Sequence, residues 1–462
     1  MRGIINPNGV VPAVLAAVGL LSFGGCATYE ARPLPPPEKV VEKAPPDLER
    51  LKVAAGELHH PLIPPVRLDL SDGLSPDEAA VLAVLANPEL VAVRDAHGEV
   101  AAQLVTAGLL PNPELSAELD HPHGSNAAGT VNAYNVGLGI DITSLIGRAA
   151  RVAEASAALD AVDLGIAWQE WQTAQAARLA TVRLAMIGRR LELVRSEVRF
   201  EAATVQVLER AMERGDATVQ DVGVHRSALE ALRQLEGTLS RAEARTRSEL
   251  NQLLGLPPAS RLPVVLPKTG TSCPSLPSAD GLVQRAATCR LDIRALEMGY
   301  EAQEARVRQA ILAQFPSLSI GITAQRNESD INFLGGFITL GLPIFDRAQG
   351  RIAGERATRT RLEHEYEARL AAVRADVSRL VDDDRLLGGQ IETARRGITS
   401  LARIEAAERD GVSSGDVDRL AWQSVRARLF ELRLKEASLE QARLEGRVAL
   451  ETAVGGTVVN EE

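Results

Sequence analysis

Residues 113–120, PELSAELD, and 135–142, NVGLGIDI, alternate apolar and polar side chains, and a counterpart of both lies 203 residues further along the chain. Leu115, Ala117 and Leu119 interleave with Ser116, Glu118 and Asp120; Val136, Leu138, Ile140 and Ile142 interleave with Asn135, Gly137, Gly139 and Asp141. A period of two sends successive side chains to opposite faces of a strand, so each segment reads as a strand with one apolar and one polar face. In the second half Leu318, Ile320, Ile322 and Ala324 interleave with Ser319, Gly321, Thr323 and Gln325, while 333–345 is more apolar and alternates less well. The four strands are expected at roughly 113–121, 131–143, 316–326 and 332–345, paired through the turn-rich loops 121–130 and 326–331.

The correspondence extends well beyond the strands. Leu90 to Arg148 aligns with Ile293 to Arg351 at the constant offset of 203, so that Pro113-Glu114-Leu115-Ser116 falls on Pro316-Ser317-Leu318-Ser319 and Gly147-Arg148 on Gly350-Arg351. Further on the offset becomes 195: Glu213-Arg214 matches Glu408-Arg409, and Asp221-Val222 matches Asp416-Val417. Such self-similarity marks two copies of one unit, here 76–256 and 280–456, joined by a Pro-rich linker 257–279 and followed by a tail 457–462. Ser75-Pro76-Asp77-Glu78 places a hydroxyl at the N-cap, proline at the first helical position and acids in the first turn, which predicts a helix to Leu110. After each strand pair comes a long helical stretch, 149–213 and 350–409, each on the order of 90 Å. Leu362, Tyr366, Leu370, Val373, Val377, Leu380, Leu387, Ile391, Ala394 and Ile398 recur near a 3.5-residue spacing, interrupted at Asp384; that period predicts coiled-coil packing. Return helices are expected over 218–254 and 414–454. The turns at Gly215-Asp216 and Gly411 each precede a capping box, Thr218 with Asp221 and Ser413 with Asp416. The Arg-Gly-Asp tripeptide 214–216 reads as part of that turn.

The expected fold class is mainly α with a small β part: long antiparallel helical hairpins, four strands and an internal two-fold repeat. Composition agrees, because aromatic residues make up only 3% of 462, and long packed helices manage with Ala, Leu and Val where a globular core of this size uses rings. The net charge of −10 and pI near 5.4 disfavour a nucleic-acid surface. Past residue 26 no run of eighteen apolar residues occurs, so a membrane-spanning role demands strands closed into a barrel. Four strands cannot close one, and several copies must each contribute four. Tyr134, Phe315, Phe333, Phe337 and Phe345 sit in or beside the strands, where an interfacial aromatic belt is expected.

The N-terminus reads as a targeting segment, 1–25, with Arg2 followed by the apolar stretch Val10 to Phe23 and then Gly24, Gly25 and Cys26. It resembles a bacterial lipoprotein signal, which implies lipid on Cys26; Phe23 stands where Leu is usual, and Ala27 in place of Asp implies outer-membrane sorting. Residues 26–75 are rich in Pro and charge and read as a lipidated tether, with His59 and His60 as an exposed loop pair. Cys273 and Cys289, sixteen positions apart, could form a disulfide in an oxidising compartment or remain thiols.

Two copies of helix, strand pair, Gly-Arg start and hairpin resemble the TolC-like outer-membrane factor family over roughly residues 75 to 456. Asn87-Pro88-Glu89-Leu90, Pro111-Asn112-Pro113-Glu114-Leu115 and Leu342-Pro343-Ile344-Phe345-Asp346-Arg347 with Gly350 are similar to its heavy-metal (cobalt-zinc-cadmium) efflux branch. The resemblance implies a homotrimer with a twelve-strand transmembrane barrel in outer-membrane lipid, continued by a helical tunnel through the periplasm. It further implies docking to a periplasmic adaptor (membrane fusion protein) and an inner-membrane resistance-nodulation-division pump, with the turns at Gly215, Asp216, Thr218, Gly411, Ser413 and Asp416 facing the adaptor. Heavy-metal cations are the cargo it suggests; multidrug efflux and type I secretion share the architecture, and a non-pore periplasmic coiled-coil lipoprotein is the alternative from another class. His121 and His123 read as solvent-exposed loop residues, and Asp382-Asp383-Asp384 as a solvated helix face or a cation-favouring ring. No catalytic constellation or cofactor motif is found in the sequence, so an enzyme is not expected.

Overall fold

The computed structural model describes residues 27–41, 47–124, 127, 129–266, 276–414 and 418–458. The chain divides into two units, Met1–Pro45 and Pro46–Glu462. In the first, residues 27–36 carry no regular structure and precede a short helix, α1 (Pro37–Val41). The second contains everything else: α2 (Leu48–Gly56), α3 (Pro76–Ala86), α4 (Pro88–Gly108), β1 (Glu114–Asp120), β2 (Ala133–Asp141), α5 (Ile142–Glu213), α6 (Val219–Leu253), α7 (Ala279–Cys289), α8 (Leu291–Leu312), β3 (Ser317–Arg326), β4 (Asn332–Gly341), α9 (Gln349–Ser414) and α10 (Arg419–Val454). The expected two-copy order of helix, strand pair and helical hairpin is present. None of the described helices is long and apolar enough to cross a membrane.

Where one entry helix was expected from Ser75 to Leu110, two are found. Pro88 has no amide hydrogen, and the residue before a proline is pushed out of the helical region. Asn87 takes that position, ends α3 and caps α4, its Oδ1 accepting from the Glu89 and Leu90 amides. The second half breaks at the equivalent position, Arg290, with no proline to force it. There the guanidinium holds Asp292 in a fork, 2.9 and 2.8 Å. The two joints are fastened alike: Asn87 Nδ2 donates to the Leu253 carbonyl (3.1 Å) and Arg290 Nη1 to the Ala453 carbonyl (2.9 Å). Each return helix ends beside its joint in a left-handed glycine, Gly255 (φ 62°) and Gly455 (φ 71°). A Cβ on Gly255 would stand 2.5 Å from the Ala86 carbonyl oxygen, and one on Gly455 2.9 Å from Arg290 Cγ; the close approach requires glycine at both.

Residues 47–75 correct the tether reading. Ala55, Ile63, Leu68 and Leu74 are buried with α3, the 168–184 stretch of α5 and the end of α6 in one hydrophobic cluster. His60 is not an exposed loop residue either. Its Nδ1 accepts from the Leu62 and Ile63 amides and its Nε2 lies 3.1 Å from the Ala167 carbonyl. Two N–H groups aimed at Nδ1 leave no place for a second proton, and burial, the largest influence, lowers the imidazole pKa. His59 remains at the surface, hydrogen-bonded to the Glu57 carbonyl.

The long helices α5 and α9 have 72 and 66 residues, spanning about 108 and 99 Å at the α-helical rise. The former starts earlier than expected because Asp141 caps it, Oδ1 accepting from the Thr143 amide. The apolar stripe of α9 is buried at Val373, Val377, Leu380, Ile391 and Ala394, and α7 and the end of α10 pack over its 373–381 stretch. Asp384, the break in the stripe, is itself buried and bound by Arg443 (3.0 and 3.0 Å) and Arg447 (2.9 Å) of α10. The two hairpins are joined along α5 and α10 by Arg178–Glu451, Arg183–Glu445, Arg189–Glu440 and Arg426–Glu197.

Candidate functional site: the sheet faces and the hairpin tips

The strands form one antiparallel sheet in the order β1-β2-β3-β4. Its register sorts most of the side chains by polarity. Leu115, Leu138 and Ile322 stand in one row; Ala117, Val136, Ala324 and Leu334 in the next; Ile140, Ile320 and Ile338 in a third; all lie on one face. That face is turned to solvent in the single chain, with Leu334 85% and Ile338 73% exposed. The opposite face carries Ser116, Asn135, Ser319, Thr323, Gln325 and Thr339, together with the carboxylates Glu114, Glu118, Asp120 and Asp141 and no basic residue. β4, less regular as a sequence, obeys the same rule and ends at Gly341, ahead of Pro343. Phe333 and Phe337 are its exceptions, two aromatics on the polar face, the first opposite Gln325 and the second opposite Gly321. The Phe337 ring lies across Gly321 and Gly139, where a Cβ would sit 2.4 and 3.0 Å from ring carbons. Glycine at 321 thus lets the ring lie down along the sheet; a Cβ there would also meet the Leu138 carbonyl oxygen at 2.5 Å. β1 and β4 have free outer edges in the single chain. A long open edge is a template for pairing with another chain.

At the far end of the helices, the first tip is built as its sequence suggests. Gly215 (φ 82°) follows the end of α5, its amide donating to the Met212 carbonyl and that of Asp216 to Ala211, the two bonds of a left-handed helix stop. Thr218 and Asp221 then exchange capping bonds to start α6. The second tip differs. Gly411 and Ser413 lie inside α9, which runs on to Ser414, and α10 is capped by Asp418, whose side chain accepts from the Leu420 amide. Gly411 is therefore not the turn, and position 413 lies within α9 and not at the start of a helix. A glycine in a helix costs about 1 kcal/mol relative to alanine, too little to end one that is packed against neighbours. Asp416 lies outside the described residues. Between the hairpins near these tips is a cleft of about 310 Å³ lined by Phe200, Val207, Leu208, Arg419 and Trp422 among others. Arg426 stacks on Phe200 at 3.7 Å, and Trp422 meets the same ring edge-on while donating to Glu405. None of this aromatic joint was singled out in the sequence. Its partners are more than 200 residues apart, and no local pattern connects them.

The remaining candidates fall as follows. Asp382 and Asp383 are exposed and paired with Arg385 and Arg379, so only two members of the acidic run are solvated. His121 bonds to Asn132 and His123 to the His121 carbonyl in the exposed β1–β2 loop. Among the described residues no group of three His, Cys, Asp or Glu side chains is placed to hold a metal ion. Cys26 and Cys273 lie outside the described residues; Cys289 is half-buried at the end of α7.

This duplicated arrangement is the outer-membrane channel fold of the TolC type. Comparable structures are the transmembrane channel CusC (TM-score 0.67, 20% identity, 82% of this chain and 92% of that one), the outer-membrane channel OprN (0.69, 16%, 82% and 90%) and VceC of Vibrio cholerae (0.67, 17%, 83% and 97%). The model of the outer membrane efflux protein family matches residues 282–456. The family model thus covers the second repeat and not the first, and the structural neighbours are outer-membrane channel proteins rather than enzymes. Two Pseudomonas putida proteins, the probable efflux pump outer membrane protein SepC and the toluene efflux pump outer membrane protein TtgF, are each 25% identical over 307 residues. The match covers 64% of this chain and 60% of the length of each relative.

Proposed function

We propose that three copies of this chain close their sheets into a twelve-strand barrel in the outer membrane, and that the helices continue it as a tunnel. The protein is then a passive exit duct, with energy supplied by an inner-membrane pump of the resistance-nodulation-division class. A periplasmic adaptor docks at the hairpin tips, and lipid on Cys26 anchors the chain. The observation that carries this reading is the sheet with one largely apolar face in solvent, interrupted only at its loop end by Arg326 and Asn332. An apolar patch of this kind demands a partner phase, and alternation of apolar and polar faces is the arrangement of a barrel between lipid and water.

Within that architecture we assign heavy-metal cations as cargo, supported by the carboxylates on the polar face and the likeness to the heavy-metal branch. Toluene-type or drug solutes form the second reading, favoured by the names of the Pseudomonas putida relatives. A deletion strain challenged with divalent metals, drugs and organic solvents separates the two: sensitivity to metals restored by the gene supports the first, and sensitivity confined to solvents or drugs rejects it. In the same strain, radioactive palmitate is expected in the wild-type chain and not in Cys26→Ser.

Fixed carboxylates without fixed bases raise the local concentration of cations in a water-filled path. In planar bilayers under a salt gradient, the reversal potential of the wild-type channel is therefore expected on the cation side. Glu114→Gln with Glu118→Gln and Asp120→Asn should move it toward zero, most visibly at low salt, where screening is weakest. An unchanged potential would show that these side chains do not face the conducting path.

A further inference from the structure

We propose that a cleft at the foot of the sheet holds the phosphate of an anionic membrane glycerophospholipid in preference to zwitterionic ones. The inference rests on the sheet lying in lipid, as argued above. The cleft, about 360 Å³, opens where β2 passes into α5 and where α8 passes into β3, and Arg351 at the start of α9 completes its wall. Its polar part holds two guanidinium groups, and its apolar part is formed by Ile146, Leu312 and Phe315.

The positive charge in this cleft is only partly compensated. Several arginines on these helices are paired with acids, as at Arg306–Glu154 and Arg359–Glu304. Arg351 has no hydrogen bond or ion pair among the described residues, although it is the second-half counterpart of Arg148, whose Nε donates to the Gly108 carbonyl (2.8 Å). Among the described residues Arg151 donates to the Ser144 carbonyl alone (2.8 Å). Room for its guanidinium comes from Gly147, where a Cβ would stand 3.1 Å from Nη1. Asp141 also lines the cleft, but its carboxylate accepts the Thr143 amide as the cap of α5. Two cations against one carboxylate leave a net charge of one positive unit.

The apolar half indicates an amphiphile and not a free anion. Ile146 is 61% and Phe315 59% exposed; Ile146 lies in the first turns of α5 just after β2, and Phe315 stands two residues before β3, at the end of the sheet from which the helices run. A headgroup phosphate set between two arginines, with its acyl chains along Ile146 and Phe315 and then up the apolar sheet face, satisfies both halves of the cleft. Guanidinium groups are well matched to phosphate oxygens by geometry and by charge.

The test is phosphatidylglycerol binding to the intact, assembled protein, measured by native mass spectrometry and by titration in nanodiscs of zwitterionic lipid. Wild type is expected to retain the lipid, and Arg151→Gln with Arg351→Gln to bind about tenfold more weakly or less. Arg151→Lys with Arg351→Lys keeps the charge and should recover part of the affinity; Arg361→Gln, an exposed arginine elsewhere on α9, should change nothing. Inorganic phosphate at millimolar concentration is expected to leave the lipid in place, and its displacing the lipid completely would overturn the proposal in favour of a simple anion site. Equal affinity of wild type and the double glutamine variant overturns it as well. Heat-sensitive assembly on a denaturing gel is scored on the same samples: an assembled wild type that binds no lipid refutes the cleft alone, and a chain that never assembles refutes the barrel and the cleft together.

Discussion

Ile322→Arg is expected to abolish the detergent-resistant, heat-sensitive assembly of this chain, while Thr323→Arg, one residue away, leaves it intact. The two positions are neighbours on β3 with opposite faces. Ile322 stands in the row with Leu115 and Leu138, and Thr323 is flanked by Gly137 and Gly335 on the face that carries the carboxylates. An arginine presented to lipid near the middle of a barrel strand costs about 2–4 kcal/mol. With three copies the cost reaches roughly 6–12 kcal/mol per assembly, comparable to the whole stability of many domains. On the polar face the same side chain meets water. Leu334→Arg on β4 should behave as Ile322→Arg does. The measurement is the fraction of membrane-extracted protein that migrates as an oligomer without heating, and equal behaviour of the variants at 322 and 323 would mean that the faces are misassigned.

Asp384→Ala should be the most destabilising single change in the α9–α10 hairpin. The carboxylate is buried between the two helices and accepts from both Arg443 and Arg447. Burial pushes the Asp384 carboxyl up, but the hydrogen bonds and charges of the two arginines outweigh it and hold it below the ordinary aspartate value. Removing one member of a buried ionic cluster leaves like charges facing each other in a poorly solvated seam and costs on the order of 3–5 kcal/mol. Asp382→Ala, exposed, should cost a small fraction of that. Because the folded pKa is depressed, the unfolded chain binds the proton more tightly. The stabilisation is therefore complete above the ordinary aspartate range and is lost as pH falls through the lower folded value. Thermal unfolding of the solubilised protein at neutral and acidic pH reads both effects, and a shift for Asp384→Ala no larger than for Asp382→Ala would contradict the assignment.

Asp384 also shows where legibility ended. The strands could be read from the sequence because period two is a local signal, and the duplication made each strand pair testify for the other. The acidic triplet 382–384 carried no mark of which member is buried, since its partners lie 59 and 63 residues away. The same holds for the aromatic joint near the tips and for His60, whose bond to Ala167 spans 107 positions. The break at Asn87 was written in Pro88 and in the capping asparagine. Its counterpart at Arg290 is imposed by tertiary contacts to the end of α10, and nothing local announces it. Gly411 misled in the opposite direction: a glycine among polar residues has the look of a turn, yet the helix passes through it.

The paired joints at Asn87 and Arg290 have a mechanical consequence. One is a neutral amide latch and the other an ionic one, in which Arg290 grips Asp292, stacks on Trp168 at 4.6 Å and shares Asp292 with Arg369. In a ring of three chains, six such hinges would alternate in kind around the circumference. Being buried, the ionic latch is screened little by salt, yet it alone depends on charge, so a wall that looks six-fold in outline would carry its charged latches with three-fold symmetry.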